Sequence, residues 1–196
     1  VDIQYENSVS IVQHARNKLA TTFLTNTKAD YCLFLDDDVE FNPSDILEMI
    51  QADVDVIGAI YPYKHYNWEN VVNTAVATKD PNASRLAGIN YAFTNPSDQL
   101  TFQVSKVPQE VAGIGTGVLL IRRSVFHQLI NLLGLENITY TLNKASYYKF
   151  FDVVVEDGEM VSEDFWFCRR WRECGGKVFA ATWAKCIHWG THRYGA

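Results

Sequence analysis

The chain has 196 residues, 47% of them hydrophobic and 20% charged, an ordinary globular composition with length enough for one domain and a full core. Its formal net charge is −6 with no basic stripe, which argues against a broad nucleic-acid surface. No apolar run reaches the roughly 18 residues a membrane-spanning helix needs.

Val1 to Tyr5 alternates apolar and polar residues and reads as a short strand. Ser8 or Ser10 can cap the following helix, in which Val12, Ala15, Leu19 and Phe23 form an apolar stripe with Arg16 and Asn17 beside it. Tyr31 to Leu35 carries no charge and reads as a buried parallel strand. Three aspartates follow at once, Asp36, Asp37 and Asp38. Adjacent like charges repel, and a divalent cation turns that repulsion into attraction, because hard cations take carboxylate oxygen. On an extended chain Asp36 and Asp38 point to one side and Asp37 to the other. The carboxyl end of a strand is also where open α/β sheets bind ligands. The triplet therefore reads as a D-x-D site for a metal and a diphosphate; the plainer alternative is an acidic turn.

Asn42-Pro43 opens a helix whose apolar face is Ile46, Leu47, Met49 and Ile50. Asp55 to Tyr61 is the next buried strand, ended by Pro62. Helix, strand, helix, strand predicts a parallel α/β sheet with right-handed crossovers. YPYKHYNWEN, residues 61–70, reads as an aromatic loop with Lys64 and His65 available to a ligand, and residues 70–108 as hairpins or an irregular excursion punctuated by Gly88, Asn95-Pro96 and Pro108.

In GIGTGVLLIRRSVF, residues 113–126, three alternating glycines precede a strand at Val118 to Ile121, and Ser124 can cap the next helix. A dinucleotide fingerprint has glycines after a strand, so these read instead as backbone that approaches a ligand closely, with Thr116 offering a hydroxyl. Residues 134–161 form an irregular insert with a strand at Phe150 to Val155 and a turn at Asp157-Gly158. Ser162 caps a helix opening with Glu163 and Asp164. Acids there suit the helix dipole, and one facing a cleft can act as a general base. Lys177 to Thr182 is a further strand, and His188 and His192 follow as candidate metal ligands. Cys32, Cys168, Cys174 and Cys186 do not resemble a disulfide framework, so a reducing, cytoplasmic setting is expected. A zinc site from Cys168, Cys174, Cys186 and His188 lacks the paired spacing of structural sites.

Four pieces, ARN on the first helix, LFLDDDVEFNP, GIGTGVLLIRRSVF, and SEDFWFCRRWRECGGKVFA followed by IHWGTHRYG, together resemble the nucleotide-sugar-dependent glycosyltransferases of the GT-A fold. The likeness is to small bacterial, phage and large-DNA-virus members and spans about residues 8–195. It implies a Rossmann-like, mostly parallel sheet flanked by helices, as a single catalytic domain over residues 1–196. It implies that Asp36 and Asp38 hold Mn²⁺ (or Mg²⁺) and the diphosphate, with Asp37 beside them and His188 completing the metal shell. Arg16 would contact the nucleotide, and Gly115, Thr116 and Gly117 would line the sugar pocket. Asp164, or else Glu163, would be the general base of an inverting enzyme, with Lys64 or Arg193 adding positive charge near the leaving group. The implied partners are a UDP- or GDP-sugar and a glycan or glycoprotein acceptor. Val1 to Tyr5 is too short for both strands that normally open this fold, so the nucleotide half is abbreviated or preceded by further residues.

Two rival readings use the same residues. LFLDDDV also fits a haloacid-dehalogenase-type phosphatase with Asp36 as nucleophile and Asp38 as acid/base, although no clean downstream acid pair follows. The aspartates and aromatics could instead make a metal-dependent carbohydrate-binding module without catalysis.

Overall fold

The computed structural model describes residues 1–6, 9–95, 104–135, 137–140 and 144–195. The first half of the chain gives α1 (Val12–Asn26), β1 (Tyr31–Leu35), β2 (Val39–Glu40), α2 (Pro43–Gln51), β3 (Val56–Ala59), β4 (Pro62–Tyr66), α3 (Trp68–Thr78), α4 (Pro81–Ala87), β5 (Ile89–Tyr91) and β6 (Phe93–Thr94). Next come β7 (Gln109–Val111), β8 (Gly113–Ile114), β9 (Val118–Arg122), α5 (Arg123–Leu133), β10 (Asn137–Thr139) and β11 (Ser146–Tyr148). The chain closes with β12 (Val154–Glu156), β13 (Glu159–Val161), α6 (Glu163–Glu173), β14 (Val178–Ala181), β15 (Ile187–Trp189) and β16 (Arg193–Tyr194).

The central sheet runs in the order β1-β9-β3-β14-β7. Its architecture is mixed α/β, but the sheet is mostly antiparallel and not the mostly parallel one expected. Only β3 and β14 pair parallel; β9 is antiparallel to both β1 and β3, and β7 is antiparallel to β14. The helix–strand alternation does make β1 and β3 run the same way. It does not make them neighbours, because β9, arriving about 60 residues later, inserts between them and takes the hydrogen bonds of both.

The sheet is buried on both faces, as near-continuous apolar strands require. Phe34, Val56, Leu119, Ile121 and Ala180 face one cluster, with Ala20 and Phe23 of α1, Phe126 of α5 and Phe167 and Trp171 of α6. Ile57, Ala59, Val118, Leu120 and Ala181 face the other, with Met49 of α2 and Trp183. The alternation along β9 thus divides one strand between two cores.

Several local expectations change. Val1 to Tyr5 forms no strand. Helix α1 begins after Ile11 with no side-chain cap, so Ser10 does not cap it; Ser8 lies outside the described residues. On α2, Asn42 caps as expected, its side chain accepting from Ser44 N at 3.1 Å, but of the apolar face only Met49 is fully buried while Leu47 and Ile50 stay exposed. Pro62 starts a strand rather than a loop, which an edge position without a required N–H permits. Residues 68–87 fold into two helices, capped by Asn67 and Asp80, and only the short strands β5 and β6 after them are β structure, pairing with β4 and β8; residues 96–103 lie outside the described set. Ser124 lies inside α5, whose cap position is Arg122. Phe150 and Phe151 are core residues rather than strand, and β12 starts only at Val154, turning into β13 through Asp157 and Gly158 at φ 51° and 84°. Within the insert, residue 136 and residues 141–143 also lie outside the described set.

Candidate functional site

The aspartate triplet leaves β1 on a turn, not on extended chain. Val39 N donates to Asp36 O at 3.3 Å, and Asp36 N donates to Gly117 O at 3.0 Å, which anchors the turn to the segment entering β9. Asp37 is exposed and Asp36 and Asp38 are half-buried, on a turn instead of the expected extended chain. The chain then runs back as β2, which pairs with β15 and brings Trp189 N to 2.8 Å from Asp38 O.

Each inner aspartate is held by a different cation. Arg16, 7% exposed on α1, reaches Asp36 Oδ1 and Oδ2 at 3.1 and 3.2 Å and pairs through its other terminal nitrogen with Glu163 Oε1. Glu163 is 8% exposed at the first turn of α6. Burial pushes its carboxyl up; the Arg16 charge opposes that, and Asp164 adds to it. Arg16 therefore ties together α1, the end of β1 and the start of α6. Because both Asp36 oxygens meet the guanidinium, neither is poised as a nucleophile, which counts against the phosphatase reading.

Asp38 meets Lys64 of β4 through Oδ2 and His188 of β15 through Oδ1, the latter at 3.2 Å from Nε2. Burial pushes the Asp38 carboxyl up, but the hydrogen bond and charge of Lys64, with His188, outweigh it and hold it below its ordinary value. His188 Nδ1 lies 2.8 Å from Pro62 O. A carbonyl only accepts, so that nitrogen carries a hydrogen and Nε2 faces the carboxylate. A neutral ring would set a lone pair against Asp38 Oδ1, an arrangement that only a proton or a metal cation makes attractive. Among the described residues no three His, Cys, Asp or Glu side chains converge as a complete metal cage. His192 and Arg193 are exposed farther along, with His192 stacked edgewise near Tyr194 at 6.2 Å between centroids. The four-residue zinc group is absent for a simple reason: Cys168 and Cys186 belong to the clusters on opposite faces of the sheet, and all four cysteines are free.

The glycines have an occupant that the sequence did not reveal. A Cβ on Gly115 would fall 2.1 Å from Tyr61 Oη, and one on Gly117 would fall 2.8 Å from Tyr61 Cζ. Gly115 and Gly117 thus make room for the Tyr61 ring, not directly for a ligand. Thr116 between them is fully buried, and its hydroxyl has no hydrogen-bond partner among the described residues. The Tyr61 ring stands at 87° to His188 with centroids 5.3 Å apart. Burial, reinforced by the charges of Asp164 and Asp36, pushes its hydroxyl well above the ordinary range. Tyr61 and the Pro62 carbonyl were not visible as site groups. The available signal was the pairing of a small-x-small run with an aromatic at the end of a neighbouring strand.

Asp164 sits on the first turn of α6, and one of its oxygens is pinned. Oδ1 accepts from the Ser162 hydroxyl and from Phe165 N at 2.8 Å, while Oδ2 meets no protein donor among the described residues. Ser162 occupies the cap position but spends its hydroxyl on Asp164 rather than on the helix backbone. The two acids of this turn are therefore distinguished: Glu163 is buried on Arg16, and Asp164 keeps an oxygen available.

Among solved structures, the crystal structure of A197 from STIV is similar to this chain, with a TM-score of 0.50 and 17% identity over 93% of this chain and 69% of that one. At that identity the likeness bears on the fold alone. No protein-family model matches the sequence, and no curated protein matches it. No helix among the described residues is long and apolar enough to cross a membrane.

Proposed function

We propose that this protein is a metal-dependent glycosyltransferase of the GT-A type, moving a sugar from a nucleoside-diphosphate sugar to an acceptor hydroxyl. The observation that carries the reading is the pair Asp38 Oδ1 and His188 Nε2, 3.2 Å apart, with the outer ring nitrogen fixed on Pro62 O. Asp38 and His188 would hold a divalent cation such as Mn²⁺, the carboxylate supplying the oxygen that hard cations take and the imidazole the nitrogen a transition metal accepts. Asp36 is outside this set, because Arg16 holds it. When bound, such an ion supplies positive charge to the departing diphosphate.

The chain's own groups account for the rest. Lys64, already beside Asp38, is within reach of a phosphate there as a point charge. Asp164 presents Oδ2 as the proton acceptor for the attacking hydroxyl, a role worth about 10²–10⁴ in rate. In a single displacement the acceptor oxygen forms a bond to the anomeric carbon, the bond from that carbon to the diphosphate oxygen breaks, and the hydroxyl proton passes to Asp164. The pairing of Glu163 with Arg16 supports giving this role to Asp164.

Calorimetry against uridine and guanosine diphosphates and their sugars, with and without Mn²⁺, tests the reading on wild type and Asp38→Ala. Binding that needs both the ion and Asp38 is expected. A folded protein that binds none of these nucleotides with Mn²⁺ present would overturn it.

A further inference from the structure

The strand β4 carries a feature that the donor chemistry does not use. It pairs with β5 at Pro62↔Tyr91 and Tyr66↔Ile89, so four steps along β4 oppose two along β5. The extra residues lift Tyr63, Lys64 and His65 out of the ladder, and all three are exposed. Bulges of this kind re-aim side chains beside functional sites. Lys64 is aimed at Asp38. Tyr63 and His65 stack on one another instead, with centroids 5.6 Å apart and planes 19° apart. The ledge they form begins two residues after Tyr61, whose ring touches both Gly117 and His188. The segment leading into the ledge is tied toward the start of α6: Ala92 N donates to Tyr61 O and Gly115 N donates to Ala92 O, while Phe165, next to Asp164, lies against Gly113. Burial, with the charge of Asp164 second, raises the Tyr63 hydroxyl.

We infer that the Tyr63–His65 ledge is the acceptor subsite, and that the acceptor's attacking unit is a pyranose sugar ring lying with its apolar C–H face on these rings. This rests on the transferase reading and assigns its acceptor end. Flat, exposed rings offer contact to the C–H face of a sugar, while the cation between them in sequence, Lys64, is turned to Asp38. The carboxylate oxygen of Asp164 left without a donor then has a hydroxyl to receive.

The test uses the whole protein with Mg²⁺ and a set of methyl hexopyranosides, read by saturation-transfer NMR, on wild type, Tyr63→Ala and His65→Ala. Both side chains are exposed, and unchanged thermal melting checks that the variants fold. At least one glycoside is expected to receive saturation at its ring C–H protons, with binding weakened about tenfold in each variant. Uridine and guanosine diphosphate binding, measured alongside, should not change. Absence of glycoside binding to wild type, or glycoside binding indifferent to both substitutions, overturns the subsite. Weakened nucleotide binding with glycoside binding intact means that the ledge stacks a nucleobase, and also overturns it. Metal-dependent nucleotide binding that survives such a failure leaves the transferase reading standing. Glycoside binding on the ledge without any nucleotide binding sinks that reading while keeping the subsite.

Discussion

Replacing Arg16 by Met tests whether the buried ion pair organises the site. Arg16 and Glu163 have side chains only 8% and 11% exposed, whereas Asp36 is 36% exposed. Water can therefore take over the solvation of Asp36 but not that of Glu163. Removing one partner of a buried pair costs about 3–5 kcal/mol, since the other charge is left uncompensated. In a chain of this size each kcal/mol moves Tm by about 2–4 °C, so Arg16→Met is expected to lower Tm by roughly 6–20 °C. The second step of the cycle is decisive. Adding Glu163→Gln removes the stranded charge, so the doubly substituted protein should be more stable than Arg16→Met alone. Thermal unfolding by circular dichroism at neutral pH reads all four proteins. If the two substitutions simply add, or if Arg16→Met costs nothing measurable, the view of Arg16 as the tie between α1, β1 and α6 is refuted.

Gly115→Ala places a methyl 2.1 Å from Tyr61 Oη, so it should cost about 1–3 kcal/mol in urea unfolding, and less in a Tyr61→Phe background where that oxygen is gone. Lys64→Met frees Asp38 of its internal cation, and calorimetry should find Mn²⁺ alone binding more tightly while nucleoside diphosphate binds more weakly. Movement of both affinities in the same direction would contradict the assignment of Lys64 to the phosphate. Because the Asp38 carboxyl is held low in the folded state, its contribution to stability is fully present above the ordinary carboxylate value of about 4 and is lost as pH falls through the lowered one. The Tm gap between wild type and Asp38→Asn should accordingly close on acidification, and a gap that widens would contradict the sign.

Much of the site was legible because its residues are out of place for folding. Three adjacent aspartates after a buried strand, and two acids at a helix start, stand out in the bare sequence, and the structure gathers Asp36, Asp38, Lys64, His188, Arg16 and Glu163 by direct contacts. What stayed hidden depended on contacts between distant segments. The glycines could be seen to need a close neighbour, but only tertiary packing reveals that the neighbour is Tyr61. The surroundings of Glu163 and Asp164 look alike in the sequence, and only the structure shows that the Arg16 side chain pairs with the first. The strand order is hidden for the same reason: helix–strand alternation fixes the direction of β1 and β3, and nothing local announces that β9 will lie between them. Helices α3 and α4 are inconspicuous in the sequence although Asn67 and Asp80-Pro81 mark their starts, because α3 buries no side chain and so lacks the apolar stripe that makes a helix conspicuous.

That intervening strand also acts as a spacer. The Asp turn hangs from the end of β1, and Tyr61, Pro62 and Lys64 follow the end of β3, yet these two strands share no hydrogen bond. Their separation is one strand's width on either side of β9, about 9.5 Å from ladder spacing alone. The distance between the two carriers is thus ruled by the most invariant length in a sheet rather than by loop conformation. Insertions in the surrounding loops can change what lies around the two strand ends, but they cannot change their separation without breaking the ladder between them.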